Sequence, residues 1–346
     1  LLEKRNNRHD YIYMIHARFS EIDPVKWNAL VAGSTTASFF QTPECYAFYA
    51  SLSFLQPFVY AVSENGTLMG LVCGYVISDG NFIKRFFSRR AIVPGGLLLD
   101  DNISNEALQS LLNHVKQALS KKSIYIEIRN FTDYSAFRDT FESGGFDYQL
   151  HLNFHVATQN VDSALSQLNS TKRRDVKLSR REGAEWLETS NVNDVKAYYE
   201  LLSQLYKTKI KTPLFPLDFF EKLIQCPQGK LFVVKHQGSI IGGSVCVLLR
   251  DRTVYEWFVC GLDGQTKNIY PSTLATWAGI EYAASNGFTR FDMMGAGKPD
   301  EGYGVREFKS KFGGELVEYG RFLYISQPGL YKLGKYIVGK LKSRKK

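Results

Sequence analysis

The chain has 346 residues, 44% of them hydrophobic and 14% aromatic, which excludes a disordered protein and suffices for two domains of ordinary size. Its five cysteines are odd in number, widely scattered and form no CxxC pair, which argues against a disulfide framework, a zinc clip or a redox pair. The formal charge of +9 is unevenly spread: seven basic and no acidic residues lie between Leu330 and Lys346, six basic residues crowd 171–181, and KRFFSRR at 84–90 mixes bases with aromatics.

The opening LLEKRNNRHD lacks the form of a signal peptide. The longest apolar run, IIGGSVCVLL at 240–249, is about half of the roughly 20 residues a membrane-spanning helix needs, so a cytoplasmic protein is expected. Hydrophobic period and turn signals predict a strand near 56–63, a Glu-Asn-Gly turn and a strand near 67–77. NEALQSLLNHVKQALSKKSIYIEIRN then reads as a helix feeding a buried strand, followed by AFRDTFESGG at 136–145. Apolar alternation is lost in HVATQNVDSALSQLNS, which puts a boundary near 157–170, and the basic segment 171–181 opens a second half.

The second half repeats the first. LFVVKHQGSIIGGSVCVLL places Gly238 opposite Gly66 at a shift of 172 residues, PSTLATWAGIEYAASNGFTRFDMMGA repeats the helix and strand, and EFKSKFGG sets Phe308, Lys309 and Phe312 opposite Phe137, Arg138 and Phe141 at a shift of 171. Three colinear matches argue for duplication of one unit, far longer than a solenoid repeat. Two similar mixed α/β domains are expected, 11–160 and 161–327, followed by a basic helix at 328–346.

Glu256 stands among apolar residues in TVYEWFV, where strict alternation puts it on the face of Val254 and Phe258. Partly buried there, it would have a raised pKa and act as a base; the alternative is an edge-strand charge. Asp292 closes the strand RFDMMG and either orients a substrate group or caps the following loop. Pro271 opens a helix at which Ser272 and Thr273 could meet an anion. GAGKPDEGYG at 295–304 is similar to a phosphate loop, but Pro299 follows Lys298 where Ser or Thr should stand, so it reads as a substrate-side loop. His151 and His155 share one face of a predicted strand, and without a third ligand they read as structural.

The run Pro-Ser, helix, Asn-Gly-Phe, strand ending in Phe-Asp, Gly, loop, then a helix with Phe-Lys and Phe-Gly resembles the C-terminal domain of the FemAB family. The resemblance implies an α/β (α+β) chain of two tandem acetyltransferase-like (GNAT) domains, with mixed, mainly antiparallel sheets flanked by helices. It implies transfer of an aminoacyl group from aminoacyl-tRNA to an amine of a peptidoglycan precursor, with no resident cofactor. Phe308 and Lys309 would lie at the catalytic centre, Lys309 stabilising negative charge; read without the resemblance, Lys309 is a solvated lysine balanced by Glu307 and Glu315. Glu256 and Asp292 complete the catalytic candidates, and Lys172, Arg173, Arg174, Tyr206, Lys207, Trp257, Tyr270, Ser272 and Arg306 are the substrate-binding ones. For the basic run 172–174 the alternative is a solvated helix face.

Some features depart from the family pattern. FFQTPECYAFY offers Phe48 and Tyr49 where peptidoglycan-acting relatives tend to carry a lysine, and only KTKIKTPLFP stands at the site of the coiled-coil arm of some members. LDGQTKNIYPS replaces the glycine-rich loop that wraps the pyrophosphate of coenzyme A. The alternatives to a FemAB-type acyltransferase are therefore an acyl-CoA-dependent N-acyltransferase on a sugar, lipid or amino-acid amine, and a non-catalytic RNA-binding protein. The first domain is expected to be inactive, because Arg138 holds the Lys309 position. In the tail, Leu330, Leu333, Ile337 and Leu341 form a stripe flanked by lysines, which either packs on the second domain or lies on an anionic membrane at its inner face.

Overall fold

The computed structural model describes residues 14–80, 87–302 and 304–343. The first half runs β1 (Met14–Arg18), α1 (Pro24–Gly33), α2 (Pro43–Ala50), β2 (Gln56–Glu64), β3 (Thr67–Ile77), β4 (Arg90–Gly95), β5 (Leu98–Leu99), α3 (Asn105–Leu119), β6 (Tyr125–Asn130), α4 (Arg138–Ser143), β7 (Asp147–Gln149) and β8 (Leu152–Ala157). The second runs α5 (Val161–Gln167), α6 (Ser170–Arg181), β9 (Glu185–Thr189), α7 (Val192–Leu205), α8 (Leu217–Gln225), β10 (Gly229–His236), β11 (Ser239–Leu249), β12 (Thr253–Gly261), α9 (Pro271–Ser285), β13 (Arg290–Asp292), α10 (Gly304–Ser310), β14 (Glu315–Glu318), β15 (Arg321–Ile325) and α11 (Pro328–Ser343).

The duplication is visible in the backbone. The hairpins β2–β3 and β10–β11 both turn through two left-handed residues, Asn65-Gly66 and Gln237-Gly238, the tight turn whose twist matches that of its strands. Each hairpin also carries a register shift, at Val62/Ser63 and at Val234/Lys235, so the same irregularity recurs at the offset of the glycines.

Two sheets result. The first has the order β1-β2-β3-β4-β6-β15-β7, with β5 on β3; the second has the order β14-β8-β13-β12-β11-β10-β9. The halves thus exchange a strand: β8 sits between β13 and β14, and β15 between β6 and β7. Sheet membership therefore does not follow the boundary read near 157–170, since β8 precedes it and belongs to the second sheet. Loss of apolar alternation reports where the chain meets water, not which sheet it joins.

Helix α3 covers the outer face of the first sheet, with Leu108, Leu111, Leu112 and Val115 buried against Val62, Val72 and Ile126. Helix α9 does the same for the second sheet, burying Trp277 and Ile280 against Val254 and Phe291. Because α5 and α6 pack on α9 in turn, that helix is buried around nearly its whole circumference. The inner faces of the two sheets share one core with α1, α2, α7 and α8, in which Phe40, Phe219, Tyr255 and Phe258 meet.

Candidate active site

Strand β13 pairs in parallel with β12 only over Thr253–Tyr255, whereas β12 continues along β11 as far as Gly261. Beyond Tyr255 the two strands part. Met294 turns the chain away at φ 53°, a left-handed conformation that a non-glycine residue adopts only when its surroundings hold it there. Its N–H donates to Asp292 Oδ1 at 2.7 Å.

Lys309 fills this gap. Helix α10 buries it to 7% exposure, and its ammonium donates to the carbonyls of Met293 and, at 2.8 Å, Gly295. Burial pulls its pKa down, offset in part by the carboxylates of Glu256 and Asp292. The solvated lysine balanced by Glu307 and Glu315 is thus not what the chain adopts. Phe308 packs beside it on Phe312, ring centroids 5.1 Å apart.

Glu256 is 3% exposed, and neither carboxylate oxygen has a hydrogen-bond partner among the described residues. Burial pushes its pKa up, against weaker opposition from Lys309 and the Thr276 hydroxyl. It shares the α9 side of the sheet with Val254, as expected, but Phe258 lies on the opposite, inner face. The register shift opposite Val245/Cys246 leaves Trp257 as an extra residue, and such a bulge reverses the alternation that follows. The edge-strand alternative also fails, because β12 lies between β11 and β13.

Asp292 is fully buried on the inner face, where it accepts from Asn153 Nδ2 at 2.7 Å and pairs with His155 Nε2 at 3.1 Å. Burial alone would raise its pKa; His155 and Asn153 reverse this and hold it below the usual carboxylate range. Asp292 therefore caps the following loop and also stands ionised beside Lys309. Sequence reading missed Asn153 and His155 as its partners, since β8 reaches this sheet only through the strand exchange. His151 turns instead to Arg321, 2.8 Å away, so the two histidines serve separate partners.

The substrate-binding candidates divide. Lys172 is buried, donates to Thr273 Oγ1 at 2.6 Å and lies 4.2 Å over the Phe308 ring, so it braces α10 from behind. Arg173 donates to the Ser166 carbonyl, and Arg174 stays largely exposed beside Asp175. Tyr270 donates its N–H to Ser179 Oγ, and the Ser272 N–H donates to Asp263 Oδ1 at 3.1 Å. The start of α9 is therefore already faced by a carboxylate, which corrects the expectation of a bound anion there. Arg306 also departs from expectation: it donates to the carbonyls of Lys298, Pro299 and Glu301 and pins the 295–302 loop.

Trp257 and Tyr206 do face a cavity, one of about 680 Å³ between the inner faces of the sheets, with Lys207 exposed in the turn Tyr206–Ile210 at its margin. Phe215, Trp257 and Phe258 form an aromatic wall, Met294 reaches in from the end of β13, and Arg90, Arg129 and Arg321 line the opposite side. Glu127 holds two of these arginines, Arg129 at 2.8 Å and Arg321 at 2.6 Å. Burial alone would raise the Glu127 pKa, but the two guanidinium groups bring it down to about 2. Burial and then Arg321 lower His151 to about 4. The arginine wall was not anticipated, although Arg129 in YIEIRN and Arg321 in RFLYI, each a cation in an apolar strand, were the available signal.

The sequence profile of the FemAB family matches residues 101–338. No curated protein sequence matches the chain. Among solved structures, FemX superimposes with a TM-score of 0.70 at 16% identity, covering 93% of this chain and 99% of that one. The C-terminal domain (DUF2156) of a putative lysylphosphatidylglycerol synthetase from Agrobacterium fabrum gives 0.58 at 12% identity, covering 91% and 96%. A tandem GNAT protein from the clavulanic acid biosynthesis pathway gives 0.58 at 9%, covering 91% and 99%. At such identities these likenesses establish the fold, tandem acetyltransferase-like domains with mixed sheets.

Proposed function

Because this chain belongs to the FemAB family and is an acyltransferase, we propose that it moves an aminoacyl group from aminoacyl-tRNA to an amine of a cell-envelope precursor. The observation that carries this reading is Lys309, buried in the gap between β12 and β13 beside two carboxylates. An ammonium has three N–H donors. Two are taken by Met293 and Gly295, and the third is left for an oxygen that becomes negative during reaction.

The acceptor amine attacks the ester carbonyl carbon of the donor. Lys309 stabilises the resulting oxyanion, and collapse breaks the ester C–O bond and expels the ribose oxygen, which leaves as a hydroxyl by taking up the proton that the amine has given to Glu256. The amine must lose a proton, and Glu256 is the better acceptor, having a raised pKa and unengaged oxygens among the described residues. Asp292, held ionised, orients the amine as it arrives past Met294. The large cavity takes the body of the acceptor, its guanidinium wall pairing with carboxylate or phosphate and its aromatic wall covering apolar parts. No resident cofactor or metal enters this scheme, and a supply of charged tRNA places the enzyme in the cytoplasm.

Asp263 at the start of α9 would repel the pyrophosphate of an acyl-CoA, which favours tRNA as donor. A non-catalytic RNA-binding protein would have no use for a lysine buried beside two carboxylates. The test supplies the full chain with labelled aminoacyl-tRNA or labelled acetyl-CoA and amine-bearing nucleotide-sugar peptides. Label transfer from the tRNA, abolished by prior ribonuclease treatment, is the expected result. Transfer from acetyl-CoA alone would overturn the donor, and full activity in Lys309→Ala would overturn the site.

A further inference from the structure

Two segments far apart in the sequence, 87–90 and the start of α11, meet in the fold. Phe87 and Ser88, from the 84–90 cluster, line a cavity of about 450 Å³ together with Leu330, Tyr331, Gly334 and Lys335 of α11. Helix α11 is seated on the first sheet, contrary to the expected packing on the second domain. The Gln327 N–H donates to the Ile124 carbonyl at 3.0 Å, and the Tyr331 ring meets Tyr125 edge-on at 5.7 Å.

This seating turns large apolar side chains to water. Leu333 is 44% exposed, Tyr336 59%, and Phe87 on the far side of the cavity 42%. Lys332 and Lys335 stand exposed among them. The carboxylates lining the same cavity face inward, Asp79 pairing with Arg90 and Glu127 with Arg129 and Arg321. The side chains of Ile337 and Leu341, the rest of the predicted stripe, lie outside the described residues, as do residues 84–86 and 344–346. Solubility accounts for exposed cations, but not for exposed leucine, tyrosine and phenylalanine placed between them.

We propose that this corner docks on an anionic lipid bilayer, with the lysines meeting headgroup phosphates and Phe87, Leu333 and Tyr336 entering the interfacial zone. An RNA partner would satisfy the cations but gives Leu333 nothing to bury against, since bases are read by stacking on flat side chains. No helix among the described residues is long and apolar enough to cross a membrane, so the contact is peripheral. Asp79 and Arg90 line both this cavity and the large cleft. If the acceptor reading above holds, an acceptor anchored in the bilayer reaches the cleft past that ion pair; the docking itself does not depend on it.

The experiment is co-sedimentation of the full chain with phosphatidylcholine vesicles, with and without phosphatidylglycerol, at low and high salt. Binding is expected only to the anionic vesicles, weakening as salt screens the charges. Lys332→Glu/Lys335→Glu and Leu333→Ser/Tyr336→Ser, both at exposed positions, should each reduce partitioning by about tenfold or more, with thermal midpoints unchanged. Equal binding to neutral and anionic vesicles, no binding to either, or wild-type binding by both variants would overturn the proposal. So would variants that lose affinity for tRNA while keeping the vesicles. Transfer to a water-soluble acceptor should be the same in all these proteins, which separates failure of this surface from failure of the transferase reading.

Discussion

In β6 the inward-facing carboxylate is Glu127; at the matching place in β13 it is Asp292. Each lies opposite a strand of its own half, Ile92 and Tyr255 respectively, and opposite an exchanged strand, at Leu323 and His155. Their surroundings differ. Glu127 is neutralised between Arg129 and Arg321, while Asp292 sits with Asn153 and His155 close to Lys309. By the same pairing Val93 occupies the place of Glu256, and Arg138, in the place of Lys309, stacks on the Tyr148 ring at 3.7 Å. In the first half β4 stays paired with β6 from Ala91 through Gly95, so no gap opens for a reacting group. One duplicated scaffold thus gives a closed sheet that presents arginines and a parted sheet that holds a lysine.

The comparison breaks most sharply at the two matched cations. Lys309→Ala should lower the transfer rate about a hundredfold or more, as loss of an oxyanion donor does. Arg138→Ala should leave it within about twofold, because that side chain reaches no reacting group. Steady-state kinetics on both variants decides, and comparable losses would mean that the halves are not specialised as described.

The matched carboxylates should part in the same way. Glu127→Gln leaves Arg129 and Arg321 facing each other and should cost roughly 2–3 kcal/mol of stability, less than for a fully buried pair because the arginines are partly exposed. In acid the wild type should lose that stabilisation as pH falls below about 4.5 toward about 2, since the folded-state pKa is depressed. Asp292→Asn should act mainly on the rate. Denaturant titration and kinetics on the two variants separate these outcomes.

Glu256→Val installs the first-half residue in the second half. Relief of a buried, unpartnered carboxylate should raise stability by about 1–2 kcal/mol at neutral pH while activity falls. Because its folded pKa is raised above 4.5, the wild-type penalty grows as pH climbs through that range, and the variant should lack this slope. A variant no more stable than wild type would mean that Glu256 is satisfied by groups other than those described.

The smallest effect is expected at the seam. His151 contacts Arg321 of the first sheet and lies close to Gly295, which follows β13. Its pKa is lowered from 6.5 to about 4, so the folded chain resists its protonation and loses stability as pH falls through that window. His151→Asn should flatten the stability profile there, as thermal melts across that pH range would show.

Much of the fold was legible because it rests on local signals. Alternating runs gave both hairpins, and three colinear matches gave the duplication, of which the Asn65-Gly66 and Gln237-Gly238 turns recur in the backbone because each needs a left-handed conformation at a fixed place. Lys309 was singled out through a motif, but its burial was not legible: a lysine between Phe308 and Ser310 carries no local mark of the gap it fills. Arg306 and Ser272 were misread for the complementary reason, because their partners, the 298–301 carbonyls and Asp263, come from loops whose course the sequence does not dictate.

By itself the sequence determined two copies of a mixed α/β unit, the hairpin and the helix–strand pair in each, and a second copy bearing Lys309, Glu256 and Asp292. Period, turn chemistry and internal repetition act over a few residues and survive in one dimension. Only the tertiary structure decided which strands close which sheet, and with that the partners of Asp292, the arginine wall and the meeting of residues 87–90 with the start of α11. These depend on contacts between residues more than a hundred positions apart, such as Asn153 with Asp292 and Glu127 with Arg321, and no local pattern encodes a pairing that long-range packing selects.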